Sequence, residues 1–437
     1  MTNIALIVLD TLRYDAFEEH FDWHPGIRFD NAWSTSHWTV PAHASLFTGK
    51  YASEVGIYAG AQTFDCKEPL LAEQLSDSGY TTRAFSANPN ISSTFQGDRG
   101  FDQFERSWRL EGMDEKLFDW DDFIARTRGE GPSRFLKALQ ECVTSDCKTL
   151  ASLRHGIQLK LRDTQLGHGA KDDGISSALN LVRETKFEDN EFLFMNLMEA
   201  HTPYDPPSEW KTVDVELDGL VATMDEPDYP VEEIQQAYDD SVRYLSHMYE
   251  KVFNELKKDF DVIITLSDHG ELLGEHDAWE HLYGIYPEVT RVPLTIYAGD
   301  DDISRRNESV SLLDVHKTVL EVGNIYSDGK GRDIRNAVGD GEYLVESHGL
   351  PERNKKALYG RGFDELEFLD EWLHGIVNAR YYGYETYDDF EERGQPIYDN
   401  PRERISKLDA NLEKRVNSKD ENIDEKVMDQ LADLGYA

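Results

Sequence analysis

Three mostly apolar runs stand out along the chain, and each stops at a polar group. Ile4–Leu9 ends in Asp10, Phe192–Leu197 leads into Glu199-Ala200-His201, and Asp261–Leu266 is followed directly by Ser267-Asp268-His269. A run without alternation reads as a strand covered on both faces, as in a parallel sheet between helices. Ligands of such open sheets bind beyond the carboxyl ends of the strands. Around these runs, Pro69–Gly79, Glu232–Leu256 and Leu312–Val322 carry helical periodicity. Tyr80–Ser86 reads as a short strand, Ala87-Asn88-Pro89-Asn90 as a turn, and Gly100–Phe104 closes the first half. Residues 108–185 read as a mostly helical, polar insertion with loops at Gly129–Pro132 and Gly167–Gly174. Beyond about Asn336 the text changes to short strands, Lys356–Arg361 and Gly375–Tyr381, and an exposed acidic helix, Arg402–Val416. The pattern predicts an α/β catalytic domain over 1–335 and a smaller C-terminal subdomain over 336–437.

The stretch from Ser36 to Lys50 organises the rest. Pro41, with its preset φ and no N–H, suits the first turn of a helix that Gly49 stops. Thr39 then sits just ahead of the helix, beside unpaired N–H groups that favour a bound anion. A hydroxyl there serves either as an N-cap or as a nucleophile toward phosphorus or sulfur.

Charge narrows the partners. The 437 residues include 85 acidic and 45 basic ones, for a net charge of −40. Nucleic acid and anionic membrane are thereby disfavoured. The acids are spread over the whole chain, aromatic content is 11%, and a surface suited to molar salt accounts for both. A halophilic source is expected. Met1-Thr2-Asn3 leads straight into the first strand, no apolar run is long enough to span a bilayer, and the three cysteines form no metal spacing. Cytoplasm is the expected location.

If the three strands are parallel neighbours, their polar ends converge. Asp10 suits either a ligand or a cap for the segment that follows it. Asp10, Asp268 and His269 make an O,O,N set for one divalent cation, with Thr39 Oγ1 completing it. Such an ion lowers the pKa of a bound hydroxyl. His201 and His281 stand as acid, base or leaving-group partners, and His276 as a substrate contact.

These residues lie in longer strings, NIALIVLDTLRYD, WTVPAHASLFTG, GFDQF, MEAHTPYDPP and SDHGELLGEH followed by EVTRVPL. In that order they resemble the sulfatase branch of the alkaline-phosphatase superfamily over residues 3 to about 330. The resemblance implies an α/β/α sandwich with a small C-terminal sheet and helix. It also implies Asp10, Asp268 and His269 as metal ligands, Thr39 as nucleophile and His201 as an active-site histidine. His281 stands where many members have lysine. The implied cofactor is one divalent ion, Mn2+, Ca2+ or Mg2+, with Zn2+ a further candidate.

The departures bear on the substrate. Sulfatases convert a cysteine or serine to formylglycine, and threonine cannot undergo that conversion. Members with threonine here include phosphoglycerol and phosphoethanolamine transferases. The family's arginine after the nucleophile is replaced by His43, and SANP stands where a Lys-x-His element is expected, leaving His43 and Asn88 to contact substrate. The expected activity is therefore metal-dependent cleavage of a phosphate or sulfate ester by a hydrolase or transferase, phosphate being favoured. The substrate class is a small molecule, a glycan or a lipid head group. The alternatives are a sulfatase that works without formylglycine and a catalytically silent binder of anionic glycans.

Overall fold

A computed structural model of the chain describes residues 2–107, 134–144 and 172–415, with a few single positions between 108 and 171. The apolar runs become β1 (Ile4–Leu9), β6 (Glu191–Leu197) and β7 (Val262–Leu266), with β1 parallel to both neighbours. The remaining strands of this sheet are β2 (Gly26–Phe29), β4 (Thr81–Ser86), β5 (Gln103–Arg106), β10 (Leu294–Tyr297) and β11 (Ile303–Arg306). Together they form an eight-stranded sheet in the order β11-β2-β10-β7-β1-β6-β4-β5.

Successive side chains of β1 serve opposite faces, which is why the whole run is apolar. Ile4, Leu6 and Val8 pack with α2 (Thr39–Thr48) and the Leu71–Asp77 and Leu312–Val322 helices. Ala5, Ile7 and Leu9 pack with α1 (Tyr14–His20) and the Ile175–Glu184 and Val231–Leu256 helices. The result is an α/β/α sandwich. All ten residues of α2 are buried, and Gly49 ends the helix at φ 68°. A side chain at Gly49 would start 2.5 Å from the His316 ring.

Short pairs complete the large unit: β3 (Ala32–Trp33) with β12 (Val310–Ser311), and β8 (Leu272–Leu273) with β9 (Trp279–Glu280). A second, antiparallel sheet joins β13 (Glu342–His348), β14 (Trp372–Asn378), β15 (Tyr381–Glu385) and β16 (Phe390–Arg393). The helix Pro401–Asp409 packs against it through Ile405 and Leu408.

Three expectations are corrected. Lys356–Arg361 is not a strand: it lies in and just after the helix Glu352–Gly360, which follows Pro351 at its N-cap and presents Leu358 to a core cluster. The strand expected over Gly375–Tyr381 is two strands that meet at Ala379, whose φ is +51°. The final helix ends at Asp409, short of Val416, which lies outside the described residues. The loops expected at Gly129–Pro132 and Gly167–Gly174 lie almost wholly outside them too. Among the described residues no helix is long and apolar enough to cross a membrane.

Candidate active site

Parallel pairing sets the three strand ends side by side, Leu9 against Leu197 and Val8 against Leu266. Asp10, His201 and Asp268-His269 follow at one edge of the sheet. Asp10 is not a helix cap: α1 begins at Tyr14 behind Arg13. The Asp10 carboxylate instead accepts from Asn88 Nδ2 at 2.8 Å and Asn196 Nδ2 at 3.0 Å, both at Oδ2. Thr11 sharpens the turn after the strand, holding φ at +57° and donating its hydroxyl to the Asp10 carbonyl at 2.7 Å. For a β-branched residue that conformation costs about 1–3 kcal/mol.

Thr39 is not the N-cap of α2 either. Trp38 occupies that position, with extended backbone, and Thr39 is the first residue of the helix. Its Oγ1 lies 3.3 Å from His269 Nε2 and 3.3 Å from Asn88 Nδ2. His269 Nδ1 donates to the Gly270 carbonyl at 3.0 Å, so Nε2 presents its lone pair toward Thr39, Asp10 and Asp268. Asp268 Oδ2 is 3.4 Å from that Nε2, and Asp10 Oδ1 is 3.7 Å away. Asp10, Asp268 and His269 are fully buried, and one donor atom from each lies within 4.8 Å of the others.

The electrostatics are those of an uncompensated pair. Asp10 Oδ1 and both Asp268 oxygens accept no well-formed hydrogen bond. Burial lifts the Asp10 carboxyl to about 6, against the pull of Asn196 and Asn88. Burial, with Asp10 as a second cause, pushes Asp268 well above the carboxylate range. Burial and then His281 push His269 well below its ordinary value. Idle buried oxygens beside an imidazole lone pair fit a divalent cation.

His281 Nδ1 and Glu271 Oε1 are 2.8 Å apart. Burial raises the Glu271 carboxyl and lowers His281 to about 3, so the pair keeps one shared proton rather than two charges. The His281 ring stands 4.5 Å from that of His269 and 5.1 Å from that of His201. His201 Nδ1 donates to the Thr202 carbonyl at 2.6 Å. Thr39, His201 and His281 share the wall of a cavity of about 30 Å3 with Trp38, Glu280 and Arg353.

Two expected substrate contacts lie elsewhere. His43 is fully buried beneath the site, where Nδ1 donates to the Thr39 carbonyl at 2.9 Å and lies 3.5 Å from Asp268 Oδ2. It supports the first turn of α2 instead of facing the cavity. His276 stacks on Tyr286 at 4.1 Å, faces Glu288, and is not in the cavity wall. Asn88 holds Asp10 and Thr39 together from below.

Trp38, Asn196, Glu271, Glu280 and Arg353 are not among the sequence candidates. Glu271 carried a readable signal, an acid two residues after His269. Asn196 is hidden inside an apolar run, and Arg353 arrives from the C-terminal half to donate to Asn90 Oδ1 at 3.0 Å.

Residues 3–325 match the family model described as Sulfatase. The chain is 24% identical over 334 residues to the uncharacterized sulfatase YidJ of Escherichia coli, a match covering 69% of this chain and 61% of that protein. It is 31% identical over 105 residues to the phosphoethanolamine transferase EptA of Salmonella typhimurium, covering 22% of this chain and 19% of that one. The chain thus spans less than two thirds of the length of these curated relatives. Its fold is similar to that of a phosphonate monoester hydrolase from Silicibacter pomeroyi, with TM-score 0.58, 16% identity and 94% of each chain covered.

Proposed function

The chain belongs to the sulfatase family, whose members cleave or transfer esters, and on that premise we propose that it is a phosphoester hydrolase or phosphotransferase acting through Thr39. The observation that carries the reading is the Thr39 hydroxyl, buried at the start of α2 and 3.3 Å from both His269 Nε2 and Asn88 Nδ2. Asp10, Asp268 and His269, with Thr39 Oγ1, would hold one divalent cation. When bound, such an ion lowers the pKa of a hydroxyl and offsets charge on phosphoryl oxygens.

The chain's own groups carry the proton traffic. Asn88 donates to Thr39 Oγ1 and orients a lone pair of the hydroxyl. His43 fixes the Thr39 carbonyl from below. Thr39 Oγ1, its proton already lost to solvent as a bound cation would favour, forms a bond to phosphorus while the bond to the leaving oxygen breaks. His281, whose Nδ1 faces Glu271, gives its Nε2 proton to the leaving alkoxide and takes the proton of Glu271 at Nδ1. In the second half, water or an acceptor alcohol attacks phosphorus as the bond to Thr39 Oγ1 breaks, gives its proton to Nε2, and the relay returns the Glu271 proton. His201, with its Nδ1 tied to a carbonyl, offers Nε2 as an acceptor beside the leaving group.

Phosphate is preferred over sulfate because a threonine ester of phosphate can be opened at phosphorus. Release of sulfate by elimination needs an aldehyde hydrate, which a secondary alcohol cannot become. The similarity to a phosphoethanolamine transferase supports the same reading. The acidic surface is read as one suited to molar salt, with a halophilic source and a cytoplasmic location. A panel of a phosphomonoester, a phosphodiester and a sulfate ester, run in molar KCl with Mn2+, Mg2+, Ca2+ or Zn2+, tests the proposal. The phosphodiester or the phosphomonoester is turned over fastest. Turnover of the sulfate ester alone overturns the substrate assignment.

A further inference from the structure

The four-stranded sheet carries a second group of metal-type donors, remote in chain and chemistry from the first. Glu346 on β13 lies directly opposite His374 on β14, so both side chains stand on one face. The final helix sets Asp409 against that face, with its Oδ1 3.5 Å from His374 Nε2. One donor atom each from Glu346, His374 and Asp409 lies within 4.8 Å of the others.

A separate observation points to a ligand. His348, two residues along β13 from Glu346 and thus on the same face, has a side chain only 1% exposed. Neither of its ring nitrogens makes a hydrogen bond, and Nε2 is 3.8 Å from Glu346 Oε2. Tyr58 stacks on this ring at 4.9 Å and Trp372 meets it edge-on at 4.7 Å, holding it in place. A buried imidazole with both nitrogens idle beside a carboxylate is costly unless an acceptor of its lone pair is supplied.

We propose that Glu346, His374, Asp409 and His348 form a second divalent-cation site of the zinc class. Two imidazoles and two carboxylates suit Zn2+, whereas Ca2+ and Mg2+ prefer oxygen alone. The supporting contacts agree. His374 Nδ1 faces Glu385 Oε2 at 3.4 Å, which leaves Nε2 for the ion. Glu346 Oε1 accepts from Ser53 Oγ at 2.7 Å. Ser53 belongs to the turn of helix Ala52–Val55 that follows α2. The ion therefore staples the last helix and the small sheet to the segment behind the nucleophile helix, and has no part in the chemistry. Lys414 Nζ stands 2.5 Å from Asp409 Oδ1 and competes with the cation for that oxygen.

The test is zinc stoichiometry and affinity on the full chain, stripped with chelator and titrated with zinc chloride. His374→Ala and His348→Ala should each bind one equivalent less than wild type. All three proteins keep Asp10, Asp268 and His269, so the difference counts the second site alone. Lys414→Ala should bind that equivalent several-fold more tightly, because a competing ammonium is gone. Equal stoichiometry in wild type and His374→Ala overturns the site and leaves an ion-pair network. If His374→Ala does not fold, Lys414→Ala decides: unchanged affinity there overturns the proposal as well.

Discussion

The two sheets gather their polar groups in different ways. At the eight-stranded sheet, Asp10 and Asp268 meet because parallel strands stop at one edge. At the four-stranded sheet, Glu346 and His374 meet because antiparallel register sets them opposite each other. Compensation differs too. Glu346 accepts from Ser53, and Asp409 has Lys414 beside it. Among the described residues, only histidines come within ion-pair distance of Asp10 and Asp268. Two acids held together without a permanent counter-charge sacrifice stability, which is expected where chemistry rather than packing is served.

The comparison is broken or sharpened by four changes, the largest first. Thr39→Ala should lower kcat by about three to six orders of magnitude, as loss of a nucleophile does, while Thr39→Ser keeps appreciable activity. Steady-state rates on the best ester check this, and melting should be unchanged. Ser53→Ala should instead lower stability by about 1–3 kcal/mol, by leaving Glu346 Oε1 without its donor, with kcat preserved. Denaturant titration beside an activity assay reads both. A third variant, Asp268→Asn, should abolish metal binding at the first cluster while the metal-free protein gains about 1 kcal/mol from removal of a buried acid. Metal analysis and melting in chelator test the two halves separately.

The last change is in pH dependence. Burial lowers His24 from 6.5 to about 3. Between those values the unfolded chain holds a proton that the folded chain does not, so stability is full above about 6.5 and falls as pH drops toward 3. His24→Gln should flatten the fall by up to about 1.4 kcal/mol per pH unit. Denaturant midpoints from pH 7 to pH 4, compared between the two proteins, provide the slope.

Much of the large sheet was legible because strands buried on both faces are mostly apolar, and β1, β6 and β7 are so apart from Glu191, Asn196 and Thr265. Their ends located Asp10, His201 and Asp268-His269 by the same logic. The C-terminal region misled at Lys356–Arg361, where one buried Leu358 supplies most of the apolar signal of a polar helix. Thr39 resembles a cap because Thr-x-Pro is a common cap pattern, and only the backbone of Trp38 shows otherwise. Arg353 and Asn90 meet across 263 positions of the chain, a separation that local spacing cannot reveal.

The central claim is that Thr39 Oγ1 bonds to the substrate's phosphorus. Intact-mass spectrometry after rapid acid quench with a phosphodiester tests it, followed by peptide mapping of the trapped protein. The account predicts a phospho-adduct on the peptide containing Thr39, absent in Thr39→Ala. An unmodified Thr39 during turnover, or an adduct on another residue, would contradict it.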